Sequence, residues 1–269
     1  MVVVDTHCHA SPYWFEPVEI LLDQMTRNDV DKAVLIQVRG VFDNSYLMEC
    51  IHRFPGRFSA VVVVDTEQPD ALERLEQWAE QGAEGLRLGP TMRSRGRDPL
   101  AIWRKAADLG LVVSLLGTVE EFASPDFENI VKGLPSLRII MEHLGGVGAY
   151  WGPGRRDPAI PYPAYQKILA LAQYPNTFMK TPGFGEFCPR PAPFRQPMPF
   201  QEVPPLVEMA VEAFGAYRLM WGSDFPPVAN REGYRNALRF PMEGVRFHSQ
   251  EDKELVFGQT ATNLFKFPG

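Results

Sequence analysis

Two histidines two residues apart, His7 and His9, follow the apolar run Val2-Val3-Val4 near the start of the chain. The run reads as a buried strand, and side chains two apart on a strand share a face. Both imidazoles can then address one metal ion or one substrate at the strand's C-terminal end. Taken alone, the pair reads equally well as surface histidines or a polar plug. Its weight comes from what lies elsewhere. The chain has only 5 histidines, and a third, His143, ends another apolar run, while Asp224 ends a later one and Lys180 a fourth. Imidazole binds metals and moves protons near neutral pH, and a carboxylate can take a proton from water. The plainer readings are a satisfied core histidine at His143, a turn-forming aspartate at Asp224 before Phe225-Pro226-Pro227, and a structural lysine at Lys180.

Arginine supplies the second clue. Arg87 sits in the apolar run Gly85–Leu88, Arg39 follows the run Ala33–Gln37, and Arg155 and Arg156 lie in a long connection. With 27 basic against 33 acidic residues and a net charge of −6, the chain favours neither nucleic acid nor an anionic membrane. Cations gathered at strand ends in such a chain suggest a small anionic substrate held by guanidinium groups. Arg93, Arg95 and Arg97 read instead as a solvated loop. The aromatics Tyr13, Trp14, Phe15, Tyr150, Trp151, Phe184 and Phe187 suit a ring-shaped ligand or a homo-oligomer interface.

Eight strand candidates would have to position these side chains. They are Val2–Asp5, Ala33–Gln37, Ser59–Val64, Gly85–Leu88, Val112–Leu116, Arg138–His143, Thr177–Lys180 and Leu219–Ser223. Most are continuous apolar runs, as parallel strands covered on both faces should be. Helices are punctuated between them. Pro69 starts one that ends by Gly82, Asp98-Pro99 one that ends by Gly110, and Ser124-Pro125 one that ends by Gly133. Ser249 with Asp252 predicts an N-terminal cap for another. Eight strand–helix units in 269 residues predict a (β/α)8 TIM barrel, one domain over 1–269, with long loops after strands 6 and 7 (Gly145–Pro163 and Pro182–Pro205). A doubly wound open sheet is the alternative. It would place a glycine-rich phosphate loop where this chain has His7-Cys8-His9-Ala10-Ser11-Pro12.

A hydrophobic content of 45% can bury a core of that size. No apolar stretch is long enough to cross a membrane, and because Val2–Asp5 already reads as structure no secretory leader is expected. Three cysteines, Cys8, Cys50 and Cys188, are an odd number at no metal spacing. They suggest a reducing cytoplasm. Cys8, between the two histidines, should face the opposite side and pack.

The runs ending Asp5-Thr6-His7-Cys8-His9, Glu142-His143-Leu144-Gly145-Gly146 and Trp221-Gly222-Ser223-Asp224-Phe225-Pro226, with the closing segment Val256–Phe265, resemble the amidohydrolase superfamily over the whole chain. The similarity is greatest to its amidohydrolase-related branch, which includes 2-pyrone-4,6-dicarboxylate lactonase, sugar-lactone hydrolases and aminocarboxymuconate semialdehyde decarboxylase. In metal-dependent members the first-strand histidines and the eighth-strand aspartate hold a divalent ion. A fifth-strand histidine or modified lysine is a further ligand, and the sixth-strand histidine binds metal or polarises substrate. The resemblance therefore implies His7, His9 and Asp224 as metal ligands, zinc first among the ions, with His143 beside them. The chain departs from the pattern in Val112-Val113-Ser114-Leu115-Leu116, which has neither histidine nor lysine. Some lactonases of the branch work without metal, so both a divalent metal and no cofactor remain open. The implied activity is a hydrolase opening a carboxylate-bearing lactone, with Asp224 activating water and His143 and Lys180 assisting. Arg87, Arg39, Tyr150, Trp151 and Arg155 would hold the substrate. A metal-dependent non-oxidative decarboxylase and a non-catalytic barrel with a degenerate site are the alternatives.

Overall fold

The structure is a computed structural model that describes residues 1–147, 162–188, 200 and 202–268. Eight parallel strands form one sheet in the order β1 to β8. They are β1 (Val4–Cys8), β2 (Lys32–Ile36), β3 (Phe58–Val62), β4 (Gly85–Leu88), β5 (Val112–Leu115), β6 (Arg138–Met141), β7 (Thr177–Thr181) and β8 (Leu219–Trp221). Helices cover the outside, so the sheet is a (β/α)8 barrel. Among the described residues no helix is long and apolar enough to cross a membrane.

The interior follows the two-residue alternation of each strand. A lower layer of Val4, Val34, Val61, Val112, Ile140 and Met220 packs as one apolar cluster, plugged from below by Phe265 and Phe267 of the closing segment. Two residues further along, the same inward face carries Arg87, Ser114, Glu142 and Lys180, all buried. The barrel is thus oily at the bottom and charged at the top. The outward faces of the strands pack with the helices in a second, larger cluster that includes Cys8, as expected for that residue.

Closure occurs between β1 and β8. Cys8 bridges Phe225, the amide of Asp224 donates to the carbonyl of His7 (2.9 Å), and the amide of His9 donates to that of Phe225 (2.7 Å). Buried side chains reinforce the seam. Thr6 Oγ1 donates to the Trp221 carbonyl at 2.7 Å, and Asp5 Oδ1 accepts from the Ser223 amide at 2.8 Å. Gly222 is required here, because a Cβ at that position would lie 2.7 Å from the Cβ of His7.

Several strand ends differ from expectation. β1 begins at Val4 and runs on to Cys8, with a register irregularity against β2 between Asp5 and Cys8. β6 stops at Met141 and β8 at Trp221, because His143 and Asp224 have left-handed backbone, φ +53° and +59°, which a strand cannot contain. The expected cap at Ser249 forms, its hydroxyl accepting from the Asp252 amide, as does that at Ser124 toward Phe127. Much of the two expected long loops, with Tyr150, Trp151, Arg155 and Arg156, lies outside the described residues.

The seam yields a stability prediction. Thr6→Val keeps the side-chain volume and removes one buried hydrogen bond, leaving the Trp221 carbonyl short of a donor. The variant should lose about 1–2 kcal/mol, read as a lower urea midpoint at unchanged slope. An unchanged midpoint would show that the seam does not depend on this contact.

Candidate active site

The charged upper layer and the two strand-end turns converge at the C-terminal mouth. At its centre is Glu142, fully buried. Its Oε2 accepts from Arg87 Nη2 at 2.8 Å, and its Oε1 accepts from Ser114 at 2.8 Å. The same Oε1 lies 3.8 Å from Lys180 Nζ and 3.8 Å from His7 Nδ1. Burial disfavours the carboxylate, but Arg87, Lys180 and His143 outweigh it and hold the group at about 2. Burial dominates at Lys180, which is lowered to about 8 although Glu142 pulls the other way. Burial, with Lys180 and His143 adding to it, pushes His7 well below its usual range, so its ring is neutral.

Around this centre sit the residues that the strand ends suggested. His7 and His9 lie with ring centroids 5.0 Å apart, and His7 and His143 4.7 Å apart. Asp224 Oδ1 lies 3.8 Å from His7 Nε2 and 3.7 Å from His9 Nε2. Its Oδ2 is bound by Arg231 at 2.7 Å. Burial opposes ionisation of Asp224, yet His9, His143 and Arg231 hold it well below the usual carboxylate range. His143 Nδ1 is 2.5 Å from Glu186 Oε1. Burial disfavours its imidazolium, but Glu186, Asp224 and Glu142 together raise its pKa above the ordinary value. A small space open to solvent lies among His7, His143, Lys180, Glu186 and Asp224.

Sequence reasoning did not single out Glu142, Glu186, Arg231 or Glu232 as site residues. Glu186 comes from a short turn after β7, Phe184–Glu186, and Arg231 from the segment after the turn Pro227–Asn230. Arg231 Nη2 reaches Glu186 Oε2 at 3.5 Å, linking the partner of His143 to the partner of Asp224. Glu232 locks the two turns together, accepting the Gly185 amide at 3.0 Å. Its carboxylate fills the space that any Cβ at Gly185 would occupy. Arg87 meets Glu142 and donates through Nη1 to the Gln37 carbonyl at 3.0 Å. Arg39 is exposed near the same mouth.

The donor set fits a divalent cation. His9 Nδ1 lies 2.7 Å from the Ile36 carbonyl. A carbonyl only accepts, so Nδ1 carries the hydrogen and a neutral ring turns the lone pair of Nε2 toward Asp224. His7 Nε2 is buried with no hydrogen-bond partner. His7, His9 and Asp224 offer two imidazole nitrogens and a carboxylate oxygen within 4.8 Å of one another, a set that zinc takes. Ligands ~2.1 Å from a tetrahedral zinc lie ~3.4 Å apart, close to the 3.8 Å and 3.7 Å that separate Asp224 Oδ1 from His7 and His9. His7, Glu142 and His143 form a second grouping, but Arg87 and Ser114 already occupy its carboxylate. On β5, where the resemblance implied a further ligand, the inward residue Ser114 serves Glu142.

The pKa of Glu142 gives a pH prediction. A carboxylate depressed in the folded state contributes stability above its ordinary value of 4.5, and this is lost as pH falls toward the folded value of about 2. Glu142→Gln leaves Arg87 and Lys180 uncompensated and should cost about 3–5 kcal/mol at neutral pH. Its urea midpoint should also vary less with pH between 4.5 and 2 than that of the parent. Parallel profiles would mean that Glu142 is not the group that acid removes.

The sequence profile of the amidohydrolase family matches residues 4–267. No curated protein matches the chain by sequence. Among solved structures, the chain superposes on an amidohydrolase from Burkholderia multivorans with bound zinc (TM-score 0.76, 19% identity, 100% of each chain). It also superposes on a probable 2-pyrone-4,6-dicarboxylic acid hydrolase from Acinetobacter baumannii with citric acid bound (TM-score 0.71, 20% identity, 99% of this chain and 100% of that one). A third likeness is to 2,6-dihydroxybenzoate decarboxylase from Rhizobium (TM-score 0.64, 16% identity, 99% of each chain). At these identities the likeness is one of fold.

Proposed function

The chain belongs to the amidohydrolase family, and we propose that within it this enzyme hydrolyses a lactone or related cyclic ester that carries a carboxylate. The observation that carries the reading is the opposition of a carboxylate, Asp224, and an imidazole, His143, across one small cavity. Asp224 presents Oδ1, its other oxygen being neutralised by Arg231. His143 faces the same space with its Nδ1 held by Glu186.

Water attacks the carbonyl carbon while Asp224 takes its proton. A base held this far below neutrality accepts that proton only as the new C–O bond forms. His143 and the Lys180 ammonium stabilise the oxygen that gains negative charge. Collapse breaks the ring C–O bond, the leaving oxygen takes a proton from His143, and a hydroxy acid results. A divalent cation, zinc by the donor set, would be held by His7, His9 and Asp224 and would act as a Lewis acid on water or carbonyl. Arg39 is proposed to hold the substrate carboxylate, with Arg87, itself paired to Glu142, beside it. Tyr150, Trp151 and Arg155 are proposed to complete the pocket from the loop after β6. The same His143 imidazolium could protonate carbon in a decarboxylation, so assays of candidate acids should follow CO2 as well as ring opening.

Two measurements test this reading. Asp224→Asn should keep the fold and lower kcat on a lactone substrate about 10²–10⁴-fold; activity within a few-fold of the parent would remove Asp224 from the base role. Zinc added to metal-stripped protein should raise Tm in the parent, because a ligand that binds only the folded state stabilises it. The rise should vanish in His9→Ala. An equal rise in both proteins would place the ion elsewhere.

A further inference from the structure

A second cleft, open to solvent, lies over the C-terminal ends of β2 to β5. Phe42, Val63, Leu88, Met92 and Leu116 wall it. The backbone there offers little to a polar guest. The Leu88 carbonyl is taken by the Leu116 amide, and the Met92 carbonyl by both the Trp103 indole and Arg93.

Two cations border the cleft, and they differ. Arg87 is buried and spends its guanidinium on Glu142 and the Gln37 carbonyl, so its charge is compensated from within. Arg39 is exposed, and among the described residues it makes no ion pair. Arg87 also joins the cleft to the reaction centre, because its partner Glu142 lies 3.8 Å from His7 and from Lys180.

We propose that this cleft is a binding subsite for an apolar, ring- or alkyl-bearing part of the substrate whose anionic end rests on Arg39. The enzyme would then select aryl- or alkyl-bearing acids over polyhydroxylated, sugar-derived ones. A sugar hydroxyl placed there gives up hydrogen bonds to water that carbon and sulfur walls do not replace, whereas an aryl ring gains from the same walls. The substrate assignment rests on the hydrolase reading above; the subsite itself is tested by binding, without turnover.

Calorimetry on the intact protein would compare 3-phenylpropanoate, its neutral analogue 3-phenylpropan-1-ol, and gluconate. The phenyl acid should bind at least about ten-fold tighter than gluconate. Arg39→Gln should weaken the acid several-fold and leave the alcohol unchanged, since only the acid has a charge to lose a partner. Met92→Glu, which puts a carboxylate into the half-exposed wall, should weaken acid and alcohol alike by at least about ten-fold, with an unchanged far-UV spectrum showing that it folds. Gluconate binding as tightly as the phenyl acid, a silent Met92→Glu, or equal losses for acid and alcohol in Arg39→Gln would each overturn the proposal. Hydrolysis of phenylparaconate, an aryl lactone that carries a carboxylate, against glucono-δ-lactone is scored separately. If the binding pattern holds and neither lactone is opened, the subsite stands and the hydrolase reading falls.

Discussion

The carboxylate of Glu142, buried without access to water, is the constraint on which the mouth of this barrel depends. An unpaired carboxylate in such a place would cost several kcal/mol or become protonated. It is charged here because Arg87, Lys180 and His143 offset its burial, and four interior positions face it. Arg87 comes from β4, Ser114 from β5, Lys180 from β7, and His7 from β1. Each is a charge or polar group where an ordinary barrel layer would hold valine or isoleucine. Glu142 therefore sets the identity of the upper layer, in which burial keeps His7 neutral and lowers Lys180 while Glu142 pulls Lys180 back up. It also fixes where Arg87 can point, and so separates the polar centre from the apolar cleft beside it.

A second constraint comes from the backbone. His143 and Asp224 both adopt left-handed conformations, each at a cost of order 1–3 kcal/mol for a non-glycine residue. The cost is offset where the chain is already held. The Asp224 amide is tied to the His7 carbonyl across the seam, and Leu144, next to His143, donates its amide to the Lys180 carbonyl. Ending β6 and β8 this way turns two side chains across the mouth that would otherwise continue the in–out alternation. The close approach at Gly222 serves the same end, bringing β8 near enough for Asp224 to face both histidines of β1.

These features explain what could be read from the chain beforehand. The barrel was legible because eight apolar runs and their proline and glycine punctuation are local signals. His7, His9, His143, Lys180 and Asp224 were legible because each follows or ends such a run. Glu142 was within reach. Inward alternation from Ile140 places it in the barrel, but extending β6 through His143 drew attention one residue too far. Glu186, Arg231 and Glu232 carried no usable signal. They sit on short turns without periodicity, and their meeting depends on how the loops after β7 and β8 pack. Arg87 was found by its place on β4, yet its commitment to Glu142 could not be foreseen, because that pairing joins residues 55 positions apart.

The ring His143–Glu186–Arg231–Asp224 shows why an acid and a base can share so small a space. An imidazolium and a carboxylate placed in direct contact inside a protein pair with each other, and neither then acts on a third molecule. Here each is held by a partner of opposite charge on its far side. Glu186 takes Nδ1 of His143, Arg231 takes Oδ2 of Asp224, and the two partners lie 3.5 Å from one another. Glu186 and Asp224 raise the pKa of His143, and His143 and Arg231 lower that of Asp224. The remaining edges, Nε2 of His143 and Oδ1 of Asp224, make no close ion pair, the former lying 4.0 Å from Glu142 and the latter 3.8 Å and 3.7 Å from His7 and His9. Because the holding groups come from the loops after β7 and β8 rather than from strands, the reactive pair can be kept in its ionised state without altering the barrel that positions it.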